Sequence, residues 1–172
     1  MFRMLYPNEE CSSSYKIKYH ELAAAGYKGL IFDIDNTLVP HGAPATEESI
    51  ALFGYIHSLG LRTCLVSNNK EPRVAPFGEA MDSDYVTLAH KPMPSGYRKA
   101  CRVMNTDPAE TIVVGDQLFT DILGANIAGM KSILVHPIDK KEEIQIVLKR
   151  YLEAPILFLY RLSGRKRVAP II

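Results

Sequence analysis

Short apolar runs that stop abruptly at polar residues alternate along the chain with stretches whose apolar positions recur every three or four residues. The first run, Lys28-Gly-Leu-Ile-Phe, halts at Asp33 and predicts a strand. Thr46 is placed to cap a helix in which Leu52, Tyr55, Ile56 and Leu59 share a face and Gly60 is the terminator. Residues 61–66 read as a second strand ending at Ser67-Asn68-Asn69, and residues 84–88 as a weaker third before His90-Lys91-Pro92. Pro94 opens a helix with Tyr97, Ala100, Cys101 and Met104 on one stripe. A fourth strand over 111–114 runs into Gly115-Asp116, a short helix covers 122–128, and a fifth strand covers 131–135. Asp139 with Glu142 has the spacing of a capping box for a last helix carrying Ile144, Val147, Leu148 and Tyr151, which Pro155 is expected to end.

Strand and helix alternating in this way predict an α/β fold: a doubly wound, Rossmann-like parallel sheet of about five strands with helices on both faces. In such a sheet ligands bind beyond the carboxyl ends of the strands, where the winding reverses. The polar clusters of this chain fall at those ends.

With 172 residues, 47% hydrophobic and 23% charged, the chain reads as one folded domain over 1–172 with no linker, repeat or low-complexity tract. Twenty basic against nineteen acidic residues give a net charge of +1, so no global field draws it to nucleic acid or membrane. Three cysteines without C-x-x-C spacing argue against a disulfide framework or structural zinc and favour a reducing compartment. No run reaches the ~18 apolar residues of a membrane span. A cytoplasmic location follows as the expectation. The main charge asymmetry is C-terminal: from Lys149 onward six Lys/Arg oppose a single Glu. Residues 155–172 therefore read as an apolar and basic tail, either packed with its charges solvated or touching anionic lipid at the periphery of a membrane. RNA binding is less supported, because aromatic residues are sparse among the basic ones.

Asp33-Ile-Asp35-Asn-Thr37 places two carboxylates two residues apart just past a strand, with a hydroxyl two further on. In isolation Asp-x-Asp is ordinary turn chemistry, as is Ser67-Asn-Asn, and Lys91 alone is a surface amine. Convergence changes the reading, because Ser67, Lys91, Asp116 and Asp121 close or follow the other strands and so lie on the same edge. Asp33, Asp35, Asp116 and Asp121 against Lys91 leave excess negative charge that a hard divalent cation such as Mg²⁺ would resolve. With that cation and Lys91 present, the edge suits phosphoryl transfer. The five histidines show no ligand spacing; His41, in the loop after Thr37, is the one placed to face a substrate.

These motifs, in this order, resemble the haloacid dehalogenase (HAD) superfamily of phosphatases: Asp33-x-Asp35-x-Thr37, Ser67, Lys91 and Gly115-Asp116-x-x-x-x-Asp121. The resemblance covers roughly residues 12 to 140. Neither gap between the first three motifs holds a cap domain, so the likeness is to the uncapped subfamily IIIA, which includes YqeG-like proteins and phosphatidylglycerophosphate phosphatases. It implies Asp33 as nucleophile, forming an aspartyl-phosphate, and Asp35 as acid and then base. It further implies Thr37, Ser67, Lys91 and main-chain N–H groups near Asn68 as phosphate-binding groups. Mg²⁺ would take the carboxylates of Asp33 and Asp116 and the carbonyl of Asp35, with Asp121 a direct or outer ligand. Asp35 favours a phosphatase over a pump, a mutase or a dehalogenase. The implied substrate is a phosphorylated molecule, with a phospholipid headgroup preferred over a nucleotide, sugar phosphate or phosphoprotein. Two rivals remain: a receiver-like domain, which would carry its phosphorylated Asp on the third strand, and a non-catalytic binding protein on the same fold.

Overall fold

Six parallel strands form one sheet in a computed structural model of the protein, which describes residues 2–139, 144–163 and 171. The strands are β1 (Glu9–Cys11), β2 (Gly29–Phe32), β3 (Arg62–Val66), β4 (Asp84–Val86), β5 (Thr111–Gly115) and β6 (Lys131–Val135), in the spatial order β1-β6-β5-β2-β3-β4. From β2 the chain winds outward through β3 to β4, then crosses back to β5 on the other flank of β2, so the winding reverses between β2 and β5. The α/β doubly wound expectation holds.

Alternation along the central strands divides the core in two. Leu30 and Phe32 of β2, Leu65 of β3 and Ile112 and Val114 of β5 face a cluster with α1 (Tyr19–Ala24), α2 (Glu47–Ser58) and α3 (Glu71–Met81). Ile31, Cys64, Val66 and Val113 face α4 (Pro94–Met104) and α5 (Leu123–Ala128). Both faces are covered, which is why these strands read as continuous apolar runs rather than alternating ones. Thr46 caps α2 in a reciprocal capping box with Ser49. The stripe expected on α4 is buried as expected.

The structure departs from the sequence reading in several elements. The sheet has a sixth strand, β1, whose Glu9-Glu10-Cys11 carries no apolar run because it is an edge strand paired only with β6. The sequence pattern predicts neither α1 nor α3; Pro72 and Pro76 mask the helical pattern of α3. On α2 the buried residues are Ser49, Phe53 and Ile56, with Leu52 packed partly against the core, while Tyr55 is exposed.

The last helix, α6 (Ile144–Ser163), does not end at Pro155 but runs through it. Glu153, Ile156 and Tyr160 are buried on both sides of the proline, Ile156 and Tyr160 packing with Tyr6, Leu118, Ile122 and Leu134, and this packing outweighs the missing main-chain bond. The proposed tail is thus helix as far as residue 163. Tyr151, expected on the packed face, is exposed. Glu142 of the suggested capping box and the basic cluster at 165–167 lie outside the described residues. No helix among the described residues is long and apolar enough to cross a membrane.

Candidate active site

The β2–β5 ladder continues one residue past the strand, with Asp33 N–H donating to Val114 O at 3.0 Å, so the sheet itself sets the backbone of Asp33 at the reversal point. Asp116 follows β5 directly, and a turn of π-helix over Leu118–Ile122 carries Asp121. One carboxylate oxygen from each of Asp33, Asp116 and Asp121 lies within 4.8 Å of the others. Gly115 is needed for this convergence, because a Cβ there would stand 2.5 Å from Asp121 Oδ2. The Asp121 side chain also accepts the Gln117 N–H at 3.2 Å. Leu118 N–H donates to the buried Glu153 carboxylate at 2.8 Å, which ties the acidic turn to α6.

Lys91 enters from the loop after β4 and bridges two of the acids, its Nζ lying 2.5 Å from Asp33 Oδ1 and 2.7 Å from Asp121 Oδ1. Its side chain is 5% exposed. Burial alone would lower the Lys91 ammonium, but Asp121 and Asp33 outweigh it and hold it well above the usual lysine value. For Asp33, burial dominates and pushes the carboxyl up to about 6; Lys91 pulls it down and Asp121 pushes it further up. The loop delivering Lys91 has left-handed backbone at Leu88 and His90, uncommon conformations that the surroundings must impose. Asn68 latches this loop: its side chain accepts the Lys91 N–H at 2.7 Å and donates to Lys91 O at 3.4 Å.

The Asp35 side chain turns away from the acidic cluster. It accepts from Gly42 N–H, Asn69 Nδ2 and Arg73 Nη2 at 2.9, 2.9 and 2.7 Å, with His41 Nδ1 3.9 Å away. Only its main-chain carbonyl is left as the cation ligand that the sequence reading gave it. Thr37 is buried and its hydroxyl donates to Asp116 Oδ1 at 3.4 Å. Ser67 is buried at the end of β3, its Oγ accepting the Asn69 N–H at 3.1 Å.

Sequence reasoning missed Arg73. It lies in the proline-broken stretch of α3, its partner is 38 positions away, and no local pattern marks it. It also alters the charge count, since Asp35 is balanced by its own guanidinium, while Lys91 bridges two of the three clustered carboxylates.

Residues 42–129, which include Ser67, Lys91, Asp116 and Asp121, match the family model described as haloacid dehalogenase-like hydrolase. The chain belongs to the haloacid dehalogenase-like hydrolases. Among its relatives, YqeG of Bacillus subtilis, named a phosphatase, is 34% identical over 94% of this chain and 95% of its own length. Phosphatidylglycerophosphate phosphatase 1 of Chlamydomonas reinhardtii and of Arabidopsis thaliana are each 30% identical, over 80% and 88% of this chain. The chain spans 55% and 47% of those two proteins, about half their length. A crystal structure from Streptomyces avermitilis, described as a HAD family hydrolase, superposes with a TM-score of 0.53 at 12% identity over 65% of this chain and 72% of that one, a likeness of fold. This haloacid dehalogenase-like hydrolase is a phosphatase.

Proposed function

We propose that this hydrolase is a Mg²⁺-dependent phosphomonoesterase that works through an aspartyl-phosphate on Asp33 and acts on a phospholipid headgroup phosphate, phosphatidylglycerophosphate being the preferred candidate. The observation that carries the reading is the Asp33 carboxylate at the reversal point, set by the sheet and paired with Lys91 beside Asp116 and Asp121. An all-oxygen donor set without histidine or cysteine fits Mg²⁺. Asp33, Asp116 and the Asp35 carbonyl would hold the ion, and Asp121, already engaged with Lys91, would complete or orient the set. Bound there, Mg²⁺ supplies positive charge that offsets the acids and the substrate phosphate.

The chain's own residues do the rest. An Asp33 oxygen bonds to phosphorus while the ester P–O bond breaks, and Asp35 gives its proton to the departing oxygen. Water then attacks the phosphorus, the Asp33–phosphate bond breaks, and the water proton passes to Asp35. The Lys91 ammonium neutralises charge on the nucleophile and phosphate, and Ser67 donates to the phosphoryl group. Asn68 holds the main chain of Lys91.

For the substrate, the support is the two relatives named phosphatidylglycerophosphate phosphatases and the outer face of α6. Tyr151, Leu152, Phe158, Leu159 and Leu162 are exposed on that one helix, which the sequence continues into Arg165-Lys-Arg167. Apolar side chains flanked by basic ones suit an anionic lipid surface, so the protein would sit at the periphery of a membrane.

The test is phosphate release, with and without Mg²⁺, from phosphatidylglycerophosphate in mixed micelles and from nucleotides, sugar phosphates, a phosphopeptide and p-nitrophenyl phosphate. The lipid is expected to give the highest kcat/KM, Asp33→Asn is expected to abolish turnover of every ester, and Asp35→Asn is expected to abolish it on the lipid, whose alcohol is a poor leaving group. A soluble ester preferred over the lipid overturns the substrate; full activity in Asp33→Asn overturns the chemistry. Absence of turnover with every ester favours the binding-protein reading.

A further inference from the structure

The Asp35 carboxylate is held at both oxygens, and the strongest of its partners is itself anchored elsewhere. Arg73 Nη2 donates to Asp35 Oδ1 at 2.7 Å, while Nη1 of the same guanidinium donates to Ala43 O at 2.7 Å. The guanidinium carbon stands 4.8 Å from the ring centroid of Phe77, one turn further along α3. The arginine therefore forms a strut from α3 to the loop after β2. That same loop contributes the Gly42 N–H, which shares Asp35 Oδ1 at 2.9 Å. Asn69, from the turn leading into α3, secures the other oxygen at 2.9 Å and has its own N–H fixed by Ser67 Oγ. A planar fork can serve a carboxylate and a carbonyl at once and lie flat on an aromatic ring; an ammonium on a flexible stem cannot.

We propose that Arg73, seconded by Asn69, is a positioning residue for the proton transfers made by Asp35. This rests on the reading of Asp35 as proton carrier. Transfer to the leaving oxygen, and back from the attacking water, needs a heavy-atom approach of roughly 2.6–3.2 Å. A side chain free to sample its rotamers meets that distance only part of the time. Arg73 removes the freedom by joining the carboxylate to the loop main chain, so Asp35 keeps one place beside Asp33. The donors also stabilise the charge that appears on Asp35 once its proton has gone.

The consequence is specific to the leaving group. Loss of acid assistance penalises an ester whose alcohol is a poor leaving group, whereas a general loss of structure penalises all esters alike. The measurement is kcat/KM, which reports the first phosphoryl transfer, for phenyl phosphate and p-nitrophenyl phosphate with the full chain and Mg²⁺. In Arg73→Ala the value for phenyl phosphate is expected to fall by roughly 10²-fold and that for p-nitrophenyl phosphate by less than about tenfold, with Arg73→Lys in between. Asp35→Asn, run alongside, is expected to show the same asymmetry more strongly. If Arg73→Ala misfolds by thermal melt, Arg73→Gln and Asn69→Ala carry the same comparison. Equal losses on both esters, or none, in the Arg73 and Asn69 variants while Asp35→Asn keeps the asymmetry overturn the positioning role alone. Absence of the asymmetry in Asp35→Asn overturns the reading of Asp35 and the proposal with it.

Discussion

Replacing Lys91 by methionine removes an ammonium from between two carboxylates while keeping much of the side-chain volume. The side chains involved are 5% exposed for Lys91, 12% for Asp33 and 2% for Asp121, so water replaces little of the lost interaction. Breaking a buried ion pair by removing one partner costs about 3–5 kcal/mol. At this chain length about 1 kcal/mol moves Tm by about 2–4 °C, so Lys91→Met is expected to melt about 6–20 °C below the parent at pH 8 in EDTA. The loss has a definite pH dependence. Asp33 already sits at about 6, and Lys91 is one of the groups restraining that rise. Without Lys91 it moves further up, so at pH 5 the folded variant carries the proton and the deficit shrinks. Mg²⁺ at pH 8 restores part of the stability by supplying the missing positive charge. The assay is circular dichroism melting at pH 5 and pH 8, each with EDTA and with Mg²⁺. A deficit under about 2 °C at pH 8, or one that grows toward pH 5, refutes the reasoning.

Three further outcomes follow from the same geometry. In the parent protein without divalent cation, the raised Asp33 value means that the folded state binds the proton more tightly than the unfolded chain. Its contribution is therefore lost as pH rises from about 4 through about 6, by at most about 3 kcal/mol. Lys91, raised above its usual value, contributes throughout that window and loses its effect only in strong alkali. Melts should accordingly show Mg²⁺ stabilising more at pH 7.5 than at pH 5, and a pH-independent increment refutes this. Gly115→Ala drives a methyl into Asp121 and is expected to cost about 1–3 kcal/mol and weaken Mg²⁺ binding by calorimetry. Gly54→Ala in α2, where a Cβ meets nothing, is expected to gain about 0.5–1 kcal/mol by the same melt.

The carboxylate edge was legible in the sequence because the rule that reveals it is topological. Parallel strands end on one edge, so Asp33, Ser67, Lys91 and Asp116 converge whatever the loops between them do. Individual side-chain directions were not legible. Nothing local tells Asp35 to turn toward Arg73, Thr37 toward Asp116 or the Asn68 amide onto the Lys91 main chain, because each depends on a partner more than twenty positions away. The fold followed the same division. The apolar central strands and the stripe on α4 announce themselves, whereas β1 is a charged edge strand without one. Two prolines hide α3, and with it the residue that holds Asp35. Pro155 is a true local helix breaker overruled by tertiary packing of Ile156 and Tyr160.

The most direct measurement is where the phosphoryl group goes. Acid quenching of the full chain during turnover of p-nitrophenyl phosphate with Mg²⁺, followed by borohydride reduction and peptide mass spectrometry, reads the site of the acyl phosphate. The account requires reduction at Asp33 and nowhere else, absent without substrate and absent in Asp33→Asn. Reduction at another carboxylate, or an active enzyme in which no residue is labelled at any quench time, contradicts it.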